Sequence, residues 1–465
     1  MEEWSGEWFC VFSRIPGCLC PESLVKYIYS QAIDCKNIVC NGDRAVKYFK
    51  RIPPEAPAII RLFIFIGIIW ASLVGPMSSI LILKSIGATS PQIGIYAAIN
   101  AIVSILVQPI WGMVSDKLKS PRLVICICLS VSCVFFGMVI FAGYFNAALV
   151  LLIAEFVFRS SIVALLDSYT ISEVSAIPGL QYGFVRISGS ITYGIVSIIY
   201  SNVINASGAK AIIPISLSIA AAAVIYGVFF SKGNWEKKSG AEGSAKIAKI
   251  NIRKDMSTLF RNKKYMKLIA FFIFFAIGMQ PIYTFMIDVV TSVGGAAGDV
   301  PMIHAIKCFF EIPMFLLLGY ISKKQFDIRK VMFVGICFYL VHMLGLVFAG
   351  SPAAVVVLYV VSTPGYVLIL FGRLQYIRMV TPESIRSTSI TIISACEVGI
   401  GSVAGNLIGA FVLGRYGTRG LAIMEIASLC AVLLVLLLIY LDPAPSAPAA
   451  DAADTADTVD TAPAP

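Results

Sequence analysis

Apolar runs of about 20 residues, each long enough to cross a bilayer as a helix, recur along the chain between short polar turns. They lie near 58–83, 91–114, 122–143, 147–168, 184–205 and 211–230. A second set follows near 267–290, 301–321, 330–349, 353–377, 387–413 and 419–441. A polar, basic stretch separates the two sets. The pattern predicts an all-α, polytopic membrane protein, with about 12 transmembrane helices in two pseudo-symmetric six-helix bundles. The expected organisation is a cytoplasmic N-terminal segment at 1–56, a first bundle at 57–231, a cytoplasmic basic linker at 232–266, a second bundle at 267–441 and a disordered tail at 442–465.

Composition points the same way. Hydrophobic residues make up 58% of the chain and charged residues 13%, whereas a soluble domain carries about 25% charged residues. The net charge of +10 does not point to nucleic acid, because the basic residues sit in loops between apolar runs. One side holds Lys117, Lys119, Arg122, the central stretch, Lys323, Lys324, Arg329, Lys330, Arg378 and Arg386. The other holds Lys84, Lys210, Arg415 and Arg419. The richer side is expected to be cytoplasmic, which places both termini inside. A plasma membrane is favoured over an organelle. Glu2, Glu3 and Glu7 argue against a cleavable signal peptide.

Little points to an enzyme. No P-loop or Ser-His-Asp arrangement stands out. Cys18-Leu19-Cys20 lacks zinc-ligand spacing, and His304 and His342 are far from it in sequence. Cys126, Cys128 and Cys133 read as small apolar fillers. No cofactor is expected.

Chemistry is sought instead among ionisable residues inside the spans, each of which costs about 2.5–3.5 kcal/mol at a helix centre. His304, Lys307 and Glu311 are spaced i, i+3, i+7 and form one stripe, with Lys307 and Glu311 able to pair as a proton relay. Glu155 and Arg159 are spaced i, i+4 and can neutralise each other. Asp288, Arg373 and Glu425 read as structural groups near span ends or interfaces. Trp70, Asn100, Gln108, Tyr193, Tyr283, Tyr339 and Tyr366 are candidate cavity liners.

Two stretches carry a family resemblance. Gly112-Met-Val-Ser-Asp116-Lys117-Leu-Lys119-Ser-Pro-Arg122 resembles the signature between the second and third helices of the major facilitator superfamily, with Ser120-Pro121 where that family has Gly-Arg. The resemblance implies a cytoplasmic latch formed by Gly112, Asp116, Lys117 and Arg122. Gly112 is expected to let two helices approach closely. A weaker echo follows the eighth span, from Gly319 through Lys323 and Lys324 to Lys330.

Leu166-Asp167-Ser-Tyr-Thr and Gln181-Tyr-Gly-Phe-Val-Arg186-Ile-Ser-Gly189 resemble the lactose permease branch of proton-coupled sugar symporters. The resemblance implies that Arg186 and the carboxylate Asp167 hold sugar hydroxyls. Glu311 matches an eighth-helix Glu linked to proton and substrate, and His342 falls near a ninth-helix Arg. The tenth span departs from the branch, with Ser362-Thr363-Pro364-Gly365 where a Lys, a His and a Glu are usual. Proton coupling is therefore expected from Glu311, Lys307 and His304. Asp167, Arg186, Glu155, Asn100 and His342 form the expected substrate set.

These readings lead to a secondary transporter working by alternating access. Its expected partners are a small polar solute, first a sugar and next a nucleoside, with protons as coupling ion and the lipid bilayer as solvent. A drug-like solute or a non-transporting receptor or scaffold are the alternatives.

Overall fold

The computed structural model describes residues 56–177, 180, 182–229, 259–321, 326–381 and 386–442, apart from a few side chains within them. The readings for the N-terminal segment, most of the basic linker, the tail, and Lys323 and Lys324 fall outside those residues. Among the described residues the regular structure is entirely helical.

Among the described residues, ten helices are long and apolar enough to cross a membrane. One of them, Ile392–Tyr440, holds two spans, because the run breaks at Gly417. There φ is 66°, a conformation that glycine adopts without a Cβ penalty. The helix Asp299–Ile321, which carries the His304–Lys307–Glu311 stripe, completes the expected twelve.

The spans follow in order. The first is Ala56–Met77 continued by Ser79–Ser85, the second Ser90–Leu118 and the third Pro121–Met138. The fourth is Phe145–Arg159 continued by Ile162–Ser175, the fifth Tyr182–Ser207 and the sixth Ile212–Phe229. The seventh is Lys263–Thr284 continued by Met286–Ser292, the eighth Asp299–Ile321, the ninth Ile328–Phe348 and the tenth Pro352–Val380. The eleventh opens as Arg386–Cys396, passes through a π-turn at Glu397–Ser402 and enters the helix Val403–Tyr440, which carries the twelfth beyond Gly417.

Broken helices free backbone groups that hydrocarbon cannot satisfy, so neighbours must supply partners. At the break in the fourth span, Gln108 Nε2 donates to the Ser160 carbonyl at 3.0 Å and Trp111 Nε1 donates to the Val157 carbonyl at 3.1 Å. Both donors come from the second span. At the start of the seventh span, the Asn262 side chain caps the Lys264 and Tyr265 amides and also donates to the Val380 carbonyl at the end of the tenth.

Within the first half, the first span packs on the fifth and sixth, and the third on the fourth and sixth. Within the second, the seventh packs on the eleventh and twelfth, and the ninth on the tenth. The halves meet along two main seams, fifth against eighth and second against eleventh. At Gly94 a Cβ would collide with Ala410, and at Gly298 it would collide with Asn205. Both contacts lie at the end of the bundle opposite the Lys117 turn. Small residues there allow the close helix approach on which packing in lipid depends.

The latch residues are placed as follows. The expectation that Gly112 brings two helices together is corrected: among the described residues, a Cβ at Gly112 would meet no atom of a neighbouring element within 4 Å. Arg122 is buried and donates to the Gly227 and Val228 carbonyls at 2.8 and 3.3 Å, closing the end of the sixth span. Lys117 is exposed. Asp116 lies in the second helix, and its side chain is outside the described residues.

Candidate solute site

The first half brings Asp167 of the fourth span to Arg186 of the fifth, with Nε 3.8 Å from Oδ1. Both side chains are about a third exposed, so the pair borders an accessible space rather than a sealed core. Trp70 of the first span fixes the guanidinium from one face, its ring centroid 4.0 Å from Arg186 Cζ. Gly189, one turn along from Arg186, makes room for this stack, since a Cβ there would press on the indole. Tyr193, another turn along, meets the Trp70 ring edge-on at 6.3 Å.

The second half contributes an eighth-span cation in an aromatic enclosure. Lys307 Nζ lies 4.9 Å from the Tyr283 ring centroid and 5.1 Å from those of Tyr359 and Tyr366. It donates to the Tyr283 hydroxyl at 3.1 Å and stands 3.9 Å from Glu311 Oε1. The i, i+4 spacing that the sequence offered is thus realised as an ion pair. Glu311 and Arg186 belong to the eighth and fifth spans, which pack on one another where a Cβ at Gly194 would press on Phe309.

Tyr359 is the hub behind this pair. Its ring meets Tyr283, His304 and His342 edge-on at 5.9, 5.7 and 5.7 Å. His304 borders the enclosure, whereas His342 is fully buried behind Tyr359. Neither ring nitrogen of His342 has a hydrogen-bond partner among the described residues, and the same holds for the Tyr359 and Thr363 hydroxyls and for Trp70 Nε1. Buried polar atoms normally find partners, and others without one among the described residues are spread through the bundle, at Asn100, Glu155, Ser197, Asp288 and Glu425.

Of the expected substrate set, Glu155 and His342 are buried away from the Asp167–Arg186 pair. Glu155 is fully buried and bonds Arg159 Nε at 2.7 Å, with the Ser132 hydroxyl of the third span at 2.9 Å. Asn100 stands on the second span one turn from the buried Tyr96, and its buried Oδ1 has no hydrogen-bond partner among the described residues.

Two pairings are not legible in the sequence. Asp288, read as a structural group near a span end, is bonded by Lys84 of the other half at 2.6 Å. Arg373 and Glu397 form an ion pair at 2.6 Å within the second half. Sequence spacing alone signals neither, because the partners lie on different spans. Between the site and the Lys84–Asp288 pair lies a cavity of about 60 Å³, bordered by Met77, Tyr193, Ser197, Tyr283 and His304. That is far below the several hundred Å³ of a typical ligand pocket. This end of the bundle is closed.

Among the described residues, no group of three or more His, Cys, Asp or Glu side chains is arranged to hold a metal ion.

Comparison with known proteins accords with this architecture. An uncharacterized transporter of Bacillus subtilis, YwbF, is 25% identical over 355 residues, covering 76% of this chain and 84% of the relative. A maltose permease of Geobacillus stearothermophilus is 23% identical over 376 residues, covering 77% and 88%. The crystal structure of the nucleoside transporter NupG superposes with a TM-score of 0.66 at 14% identity, covering 84% of this chain and 98% of that one. A family model described as the MFS_1 like family matches residues 60–424. The chain belongs to this family of major facilitator superfamily transporters, a multi-pass membrane protein built from two six-helix halves.

Proposed function

We propose that the protein is a proton-coupled secondary transporter for a small polar solute, a sugar in the first instance. The observation that carries this reading is that the fifth and eighth spans, which pack along a seam between the halves, carry the charged side chains Arg186 and Glu311. A solute held between them touches both halves at once, which is what alternating access requires. Trp70 and the tyrosines around Lys307 offer ring faces, and Asp167, Arg186 and Glu311 offer hydrogen-bonding groups for hydroxyls. The relative named as a maltose permease supports a sugar.

Glu311 and Lys307 carry the coupling in this reading, with His304 beside them. Protonation of Glu311 leaves Lys307 to the tyrosine rings and the Tyr283 hydroxyl, and changes what Arg186 faces. The driving force is sufficient: about 2.3 kcal/mol per 100 mV for each charge moved, and about 1.4 kcal/mol per pH unit. Lys84–Asp288, with the Gly94 and Gly298 contacts, closes one end, and rocking of the halves opens it. The distribution of basic residues makes this the non-cytoplasmic end and puts both termini in the cytoplasm of a plasma-membrane protein.

The test is a thermal-shift panel of sugars, nucleosides and amino acids on purified protein and on Arg186→Ala. Ligand at 100 times Kd stabilises by about 2.7 kcal/mol, a shift of several degrees. A sugar that stabilises wild type but not the variant supports the reading. Equal stabilisation of both proteins overturns the site assignment.

A further inference from the structure

Arg373 and Glu397 sit on the tenth and eleventh spans, the fourth and fifth of the second half. Asp167 and Arg186 sit on the fourth and fifth of the first half. The two halves therefore each carry an ion pair on corresponding helices, with acid and base exchanged. In the second half the pair is tight. Arg373 Nη1 bonds Glu397 Oε2 at 2.6 Å, its Nη2 bonds the Ser394 hydroxyl, and its Cζ lies 4.9 Å from the Phe272 ring centroid of the seventh span.

Glu397 is also the first residue of the π-turn Glu397–Ser402. A π-turn inside an α-helix is rare and often marks a functional position. This one lies on the seam between the halves. Gly399 faces Ile105 of the second span, and Gly401 faces Ala276 and Ile273 of the seventh. Neither side chain of the ion pair is fully sealed, at 13% exposed for Arg373 and 18% for Glu397, so a proton can reach the carboxylate. The charged group that acts on it is Arg373 from the tenth span; Tyr265 of the seventh span lies within electrostatic reach of Arg373 and Cys396, and the second span presents the apolar Ile105.

We infer that Glu397 is a proton-binding carboxylate of the second half, separate from Glu311, with Arg373 as its counter-charge and the π-turn seam as the element its charge controls. Glu397 takes one proton from water and the Arg373 Nη1 bond to it is lost. The guanidinium stays protonated and keeps Ser394, and the pair moves from net zero to +1. The tether between the tenth and eleventh spans is then released at the turn that presses Gly399 onto Ile105. The role rests on the proton-coupled reading above, but its test needs no solute.

The experiment is infrared difference spectroscopy of the purified full-length protein, titrated from about pH 9 to about pH 5, across the range where a perturbed carboxylate gains its proton. Wild type, Glu397→Gln, Glu397→Asp and Arg373→Gln are compared. Glu397→Gln is expected to lose one carboxyl's worth of the protonated-acid band, and Glu397→Asp to retain it. Arg373→Gln is expected to move the midpoint of that component to higher pH by a unit or so, because the cation that favours the carboxylate is gone. An undiminished band in folded Glu397→Gln overturns the inference. If that variant does not fold, an unshifted titration in Arg373→Gln overturns it. A chain that moves no solute yet shows the Glu397 component contradicts the transport reading and leaves the proton site standing.

Discussion

Lys84 and Asp288 lie 204 positions apart in the chain, yet Lys84 Nζ donates to Asp288 Oδ1 at 2.6 Å. Each sits on the short helix that extends the first span of its half, Ser79–Ser85 and Met286–Ser292. The two halves thus use equivalent elements to close the same end of the molecule. Both side chains are about one-fifth exposed.

Neutralising one member therefore weakens closure without unfolding the protein. Lys84→Met or Asp288→Asn is expected to slow uptake several-fold, and the charge-swapped double variant Lys84→Asp/Asp288→Lys to recover much of it. Uptake assays on the four proteins check this. A double variant worse than the sum of the singles would contradict the pairing.

The seam beside that pair is set by Gly298, where a Cβ would collide with Asn205 and where the amide donates to Asn205 Oδ1 at 3.1 Å. Gly298→Val is expected to hold this end open. A cysteine at Ser197, which borders the cavity beneath, would then react faster with a membrane-impermeant maleimide than in the Gly298 background. Equal labelling rates would show that the seam tolerates the added bulk.

Arg186→Lys tests the stacked guanidinium. Lysine keeps the charge but not the planar fork, and it lies less well on the indole 4.0 Å away. Ligand affinity is expected to fall by about tenfold, or ~1.4 kcal/mol, as measured by calorimetry. Unchanged affinity would place the solute elsewhere.

A pH effect is expected outside the membrane, at Asp327. Burial pushes its carboxyl up, but the Arg329 side chain and backbone N–H bonds outweigh it and hold the carboxyl below the ordinary Asp value. A depressed carboxyl contributes stability above its unfolded pKa of about 3.9 and loses it as pH falls through the folded value. Asp327 is also the N-cap of the ninth span. Asp327→Ala is expected to cost about 1 kcal/mol at neutral pH. That difference narrows below about pH 4, when wild type loses the same charge. Melting curves at the two pH values check it.

The spans were readable because lipid demands about 20 apolar residues in a row, a signal that is local in sequence. The Lys307–Glu311 pair was readable for the same reason, its partners being one helical turn apart. The Asp167–Arg186 pair came from motif resemblance, and the structure places the two side chains together. What stayed hidden was contact between distant spans. Arg122, read through the latch motif, turns out to cap the sixth span at Gly227, 105 positions away. Gly112 is expected at a close crossing, but a Cβ there meets nothing among the described residues, whereas Gly94 and Gly298 are among the glycines where one would collide with the other half.

The central claim is that a polar solute binds between Arg186 and Glu311 and is carried across. The most direct measurement is counterflow of radiolabelled maltose and uridine in proteoliposomes, comparing wild type with Arg186→Ala. The account predicts that wild type exchanges the sugar and that the variant, inserted and monodisperse, does not. Exchange by Arg186→Ala at the wild-type rate would contradict it.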